Sequence, residues 1–101
     1  MQSDNAHVRV LNGTSTPELD MKTGNYLLQQ GLLATEFGNA KASNQTTIVL
    51  YSPKLYTLQF LIDTFGVNSS TQILIKPDPS ETVDIEIRLG KDWINNLPIG
   101  Y

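Results

Sequence analysis

The 101-residue sequence predicts an α+β fold, a two-layer sandwich in the order β-α-β-β-α-β-β with one sheet face left open. Three observations carry it. Residues 7–31 and 46–66 repeat one pattern: an alternating apolar segment, a helical stretch opened by proline, and a glycine stop. VDIEIRLG, residues 83–90, sets Val83, Ile85, Ile87 and Leu89 against Asp84, Glu86 and Arg88, so one face of that strand meets a core and the other meets water. Two helices can cover only one face of such a sheet, which agrees with that alternation.

Taken in order, residues 1–6 are polar and read as a disordered tether or an expression remnant. HVRVLN alternates Val8 and Val10 with Arg9 and Leu11 as a first strand, broken by Asn12-Gly13. In TSTPELDMKTGNYLLQQG, Thr16 suits a helix cap, Pro17 the first helical position, and Glu18 and Asp20 the positive end of the helix dipole. Leu19, Thr23, Tyr26 and Leu27 share a face, and Gly31 ends the helix in a left-handed cap. LLATEF is the second strand, and the small polar residues of GNAKASNQ predict a mobile loop. TTIVLYS alternates Ile48 and Leu50 with Val49 and Tyr51 as the third strand. Pro53 then opens a helix with an apolar stripe of Leu55, Leu58, Ile62 and Phe65, closed by Gly66. TQILIK is a fourth strand, PDPSET a turn, VDIEIRLG the fifth strand, and residues 94–101 a tail. This order suits a duplicated split β-α-β unit of the ferredoxin-like kind with an extra terminal strand.

Length and composition fit one domain with a single core, 40% apolar and 17% charged. The absence of cysteine removes disulfides and thiolate metal sites but leaves the compartment open. A net charge of -3, with seven basic residues and no basic run, argues against nucleic acid as a partner. No apolar run is long enough to span a bilayer, and MQSDNAH is no secretory leader. The chain is therefore either cytoplasmic or a domain cut from a longer exported protein.

Chemistry is sparse. NGTSTPEL has one glycine where a dinucleotide fingerprint needs three and lacks the Gly-Lys-Ser/Thr ending of a P-loop, so it reads as a turn and helix start rather than a phosphate cradle. His7, the single histidine, has no second histidine or cysteine with which to bind metal and no evident nucleophile to serve. The acids Asp78, Glu81, Asp84 and Glu86 lack the glycine-centred spacing of a calcium loop, and alternation aims the last two at solvent. No catalytic, cofactor or metal residues are assigned. Trp93 could stack on a sugar, although a tryptophan just beyond a strand more often folds back over the core edge; Tyr51, Tyr56 and Tyr101 carry the same ambiguity. NGT, NQT and NSS match a glycosylation pattern at Asn12, Asn44 and Asn68, meaningful only in a eukaryotic secretory protein. Strand parity offers Arg9, Tyr51, Lys76, Glu86 and Arg88 as the contact residues of the open face.

Four islands, VRVLNGTSTPEL, GNA at 38–40, TTIVLYSP at 46–53 and IRLGKDW at 87–93, resemble in order and spacing the C-terminal domain family of LytR-type cell-envelope proteins, from about residue 7 to residue 93. Gly24 departs from the family's small non-glycine residue and weakens the first helix by up to about 1 kcal/mol. The polar NSSTQ lead into the fourth strand departs as well. The resemblance implies an extracytoplasmic bacterial domain standing after a LytR-CpsA-Psr phosphotransferase domain, which attaches lipid-linked glycopolymers to peptidoglycan, or behind a lone membrane anchor. It offers no catalytic residues, and Arg9 and Arg88 alone cannot make the arginine-rich pyrophosphate clamp of the catalytic partner. The expectation is a non-catalytic module that binds cell-wall glycan or an envelope protein, reaching membrane only through a flanking anchor. The alternative is a protein-protein or self-association element.

Overall fold

A computed structural model describes residues 5–67 and 72–94. The leading residues 1–4, the tail from residue 95 with Tyr101, and Asn68 lie outside the described residues. The elements are β1 (His7–Asn12), α1 (Leu19–Gln29), β2 (Leu33–Asn39), β3 (Thr47–Leu50), α2 (Leu55–Phe65), β4 (Ile73–Ile75) and β5 (Ile85–Leu89), followed by a short 3-10 turn at Lys91–Trp93. The order and the α+β class are those the sequence predicts. Ala6, on the sequence's reckoning part of the tether, is buried in the core.

The sheet runs β2-β1-β5-β3-β4. β1 lies parallel to both β2 and β5, β3 lies parallel to β4, and β3 and β5 are antiparallel. This corrects the split arrangement: β1 pairs directly with β2 and β3 with β4, so each β-α-β unit is unsplit, and β5 joins the two. Its alternation carries no information about which neighbours it has, so only the structure could place it at the centre.

Val8, Val10, Ile48, Leu50, Ile85, Ile87 and Leu89 form the sheet side of the core, against Leu19 and Leu27 of α1 and Leu61 and Phe65 of α2. Burying each such side chain contributes about 1.5–3 kcal/mol before conformational entropy is set against it. Trp93 folds over the core edge, with its ring 4.4 Å from that of Phe65 and its Nε1–H donating to Thr23 Oγ1 at 2.8 Å.

Three local expectations are corrected. Helix α1 begins at Leu19 rather than after Thr16, because the Asn12 side chain holds the preceding segment in a turn: Asn12 Oδ1 accepts from the Thr14 amide and hydroxyl, while Nδ2 donates to the Thr16 carbonyl. Glu18 becomes the cap in the left-handed region. The other end follows expectation, with Gly31 at φ 93 and amides of Gly31 and Leu32 donating to the carbonyls of Leu28 and Leu27. In α2, Leu55 is exposed and Leu61 takes the central buried position, because the stripe's phase is set by which turn of the helix meets the sheet. The segment 40–45 is held rather than loose: Ala40 and Ser43 amides donate to Asn12 and Gly13 carbonyls, and Lys91 and Asp92 amides donate to Ser43 and Asn44 carbonyls.

Candidate functional site

Opposite the helices, cross-strand pairing sets side chains in rows. One row runs Glu36, Arg9, Glu86, Val49, Leu74 from β2 to β4; the next runs Gly38, Leu11, Arg88, Thr47. A bulge in β2 brings Glu36 into the first row: the register steps from Val8–Ala34 to Arg9–Glu36 and skips Thr35. The extra residue re-aims Glu36 to the open face and Phe37 toward α1, where the Phe37 ring occupies the space a Cβ at position 24 would need. That contact gives Gly24 a packing reason.

Arg9 is the hub of the face. Its Nη1 donates to Glu86 Oε1 at 2.7 Å, Nη2 to Glu81 Oε1 at 3.0 Å and Nε to Glu36 Oε1 at 3.1 Å. Arg88 Nε takes the other Glu86 oxygen at 2.6 Å. The bond to Glu86 foremost, then those to Glu81 and Glu36, raise the Arg9 pKa against the opposing effect of burial. Glu36 is held below the usual carboxylate range, first by the Thr82 hydroxyl and then by Arg9. The expectation that Asp84 and Glu86 face water is corrected for Glu86: it is 3% exposed, because two arginines cover it.

Of the five residues picked by parity, Arg9, Glu86 and Arg88 are joined directly. Tyr51 stands close enough that burial, with the charges of Glu86 and Glu81, raises its phenol pKa. Lys76 lies just past the edge strand β4, and none of the ion pairs among the described residues includes it. The residue that parity missed is Lys41. Segment 40–43 overhangs the second row and closes an open groove of about 480 Å³ against Leu11, Thr47 and Arg88, with Lys41 on its wall.

Elsewhere on the face, Asp84 accepts the His7 amide at 2.9 Å and the Ser52 hydroxyl, and these bonds hold its pKa low although burial opposes them. The Ser52 hydroxyl thus bonds to the acid, and the His7 imidazole Nδ1 lies 3.7 Å from the same carboxylate, an order that differs from a nucleophile-base-acid relay. Asp78 accepts from the Ser80 amide and hydroxyl in a tight turn. Among the described residues, no group of three or more histidine or acidic side chains could hold a metal ion, and no helix is long and apolar enough to cross a membrane. Asn12, one of the glycosylation-pattern residues, is buried with its amide committed to the turn.

The four sequence islands converge at one end of the sheet. The Gly13 amide donates to the Leu89 carbonyl at 3.0 Å, and a Cβ on Gly13 would lie 2.6 Å from that oxygen. Thr46 donates through its amide and hydroxyl to Asp92, and its hydroxyl accepts from the Gly90 amide. A Cβ on Gly90 would overlap the Gln45 backbone. NGT, GNA, the start of TTIVLY and GKDW are therefore one seam, spaced by the close approach of their backbones. Comparisons with curated proteins and with solved structures find no match. The family model described as LytR cell envelope-related transcriptional attenuator matches residues 5–93, nearly the whole chain and all of this seam, and the chain belongs to that family.

Proposed function

We propose that this chain is a non-catalytic accessory module of the bacterial cell envelope that docks on wall glycan through its open sheet face and so positions whatever domain is tethered to it. The observation that carries this reading is the open face itself. Its polar groups are held in fixed positions by the Arg9–Glu86–Arg88 network, and a groove runs beside them. Mixed polar and apolar lining suits sugar rings, which present hydroxyls at their edges and C–H groups on their faces. Within the proposal Arg9 supports the surface, since three carboxylates already occupy its donors, whereas Arg88, 40% exposed at its side chain, meets the ligand. The test is pelleting of the purified chain with isolated peptidoglycan, with and without its attached polymers. Retention on either supports the proposal; a chain that stays in the supernatant with both contradicts it.

A second reading, self-association or a protein partner, is favoured by one observation. Ile75 of the edge strand β4 is 67% exposed beside an apolar groove of about 290 Å³ formed with Leu50, Pro53 and Pro77. A mass that rises with concentration, and falls back on Ile75→Lys, would support it; a monomer at all concentrations would remove self-association.

A further inference from the structure

Asn12-Gly13 is the one asparagine-glycine step in the chain. In an unfolded chain such a step is prone to deamidation, because a glycine without Cβ lets its nitrogen reach the asparagine carboxamide. The seam requires this glycine. A Cβ at position 13 would lie 2.6 Å from the Leu89 carbonyl oxygen and 3.0 Å from that of Lys41, so the close approach that builds the seam also creates the reactive step. The native hydrogen bonds hold both reacting groups. The Gly13 N–H donates to the Leu89 carbonyl at 3.0 Å. Asn12 Oδ1 accepts from the Thr14 amide at 3.0 Å and hydroxyl at 2.6 Å, and Nδ2 donates to the Thr16 carbonyl at 2.7 Å. The two Thr14 donors taken alone would favour attack, since they polarise the carboxamide. The nitrogen decides the outcome: it attacks only after losing the proton that it shares with Leu89, and ring closure at buried Asn12 then breaks the bonds of the carboxamide as well.

We infer that Asn12 is a modification site guarded by the fold: it converts to aspartyl and isoaspartyl forms when the chain unfolds, and the converted chain cannot rebuild the native seam. On unfolding, the Gly13 nitrogen gives its proton to water and bonds to Asn12 Cγ. The Cγ–Nδ2 bond breaks, and Nδ2 takes up a proton and leaves as ammonia. Water then opens the succinimide at either carbonyl, giving an aspartyl residue or an isoaspartyl link. In the first product a carboxylate oxygen faces the Thr16 carbonyl in a buried place where Nδ2 had donated. In the second the main chain gains a methylene before Gly13. That shifts the Gly13 amide from Leu89, and it shifts the carbonyls of residues 12 and 13 from the Ala40 and Ser43 amides. Conversion therefore unfastens the overhanging wall of the groove, whatever that face binds.

The experiment ages wild-type protein in mildly alkaline buffer, native and at rising guanidinium chloride, and follows residue 12 by mass spectrometry of the tryptic peptide 10–22. Peptide 23–41, which carries Asn25 and Asn39 with no glycine after either, is the reference for general effects of denaturant. Expected is a conversion at least about tenfold faster in the unfolded chain, the floor for a segment open a tenth of the time or less in the native protein. The rate should rise with the unfolded fraction that Trp93 fluorescence reports. A smaller ratio between unfolded and native protein overturns the inference. Chains carrying isoaspartate, purified and returned to native buffer, should unfold at lower denaturant than unaged protein; an equal midpoint overturns the claim that conversion undoes the seam.

Discussion

Glu86 and Ile87 are consecutive on β5 and are buried alike, 3% and 0% exposed, but by opposite means. Ile87 lies under two helices, in apolar packing that needs shape and no direction. Glu86 lies under two arginine side chains, each bonded to a different carboxylate oxygen. A buried ion pair contributes little net stability, because desolvation consumes most of its attraction. What the pair does is orientation. The helix face holds the fold, and the open face holds its polar groups in fixed positions.

The contrast can be broken most forcefully at Ile87. Ile87→Ala should cost about 3–4 kcal/mol in urea unfolding, since it opens a cavity in a fully buried site. On the other face, Arg9→Met should cost about 2–3 kcal/mol, because Glu86 keeps Arg88 and loses only one partner. Adding Glu86→Met should restore most of that loss. A double variant as unstable as the single would mean that the charges themselves hold the sheet.

Acid should separate the faces more gently. Glu36 and Asp84 have folded pKa values below their ordinary ones, so the unfolded chain binds protons first as pH falls. Their contribution is complete above about pH 4.5 and is lost as pH drops through the depressed values. The urea midpoint should therefore be flat from neutrality to about pH 5 and decline below it, with Ile87→Ala showing the same slope and Glu36→Gln a shallower one. The smallest effect is expected at Gly24. Alanine there gains up to about 1 kcal/mol of helix propensity and displaces the Phe37 ring, which is partly exposed and can move, so Gly24→Ala should change stability by less than about 0.5 kcal/mol.

The elements were legible in the sequence because each rests on a local signal: alternation in β5, the positive-φ glycines Gly31 and Gly66, and the apolar periods between them. The pairing of those elements was not legible, since direct and split β-α-β units show the same alternation. The start of α1 was obscured by a side chain, Asn12, that outcompetes Thr16 for the turn. For the candidate site, parity placed Arg9, Glu86 and Arg88 correctly on one face, but it could not show that Glu86 is covered, because covering depends on long side chains from β1 and β5 meeting over it. Lys41 carries no signal at all. It sits in a polar segment whose course is set by hydrogen bonds to Gly13 and Lys91, far away in sequence.

The most direct test of the proposed docking through the open face is an amide NMR titration of the labelled chain with solubilised wall fragments. Docking through the open face predicts shifts grouped at Arg9–Leu11, 40–43, Thr47 and Glu86–Arg88, with α1 and α2 unmoved. Shifts grouped instead at Ile75, Leu55 and Tyr56, or spread over the helices, would contradict it.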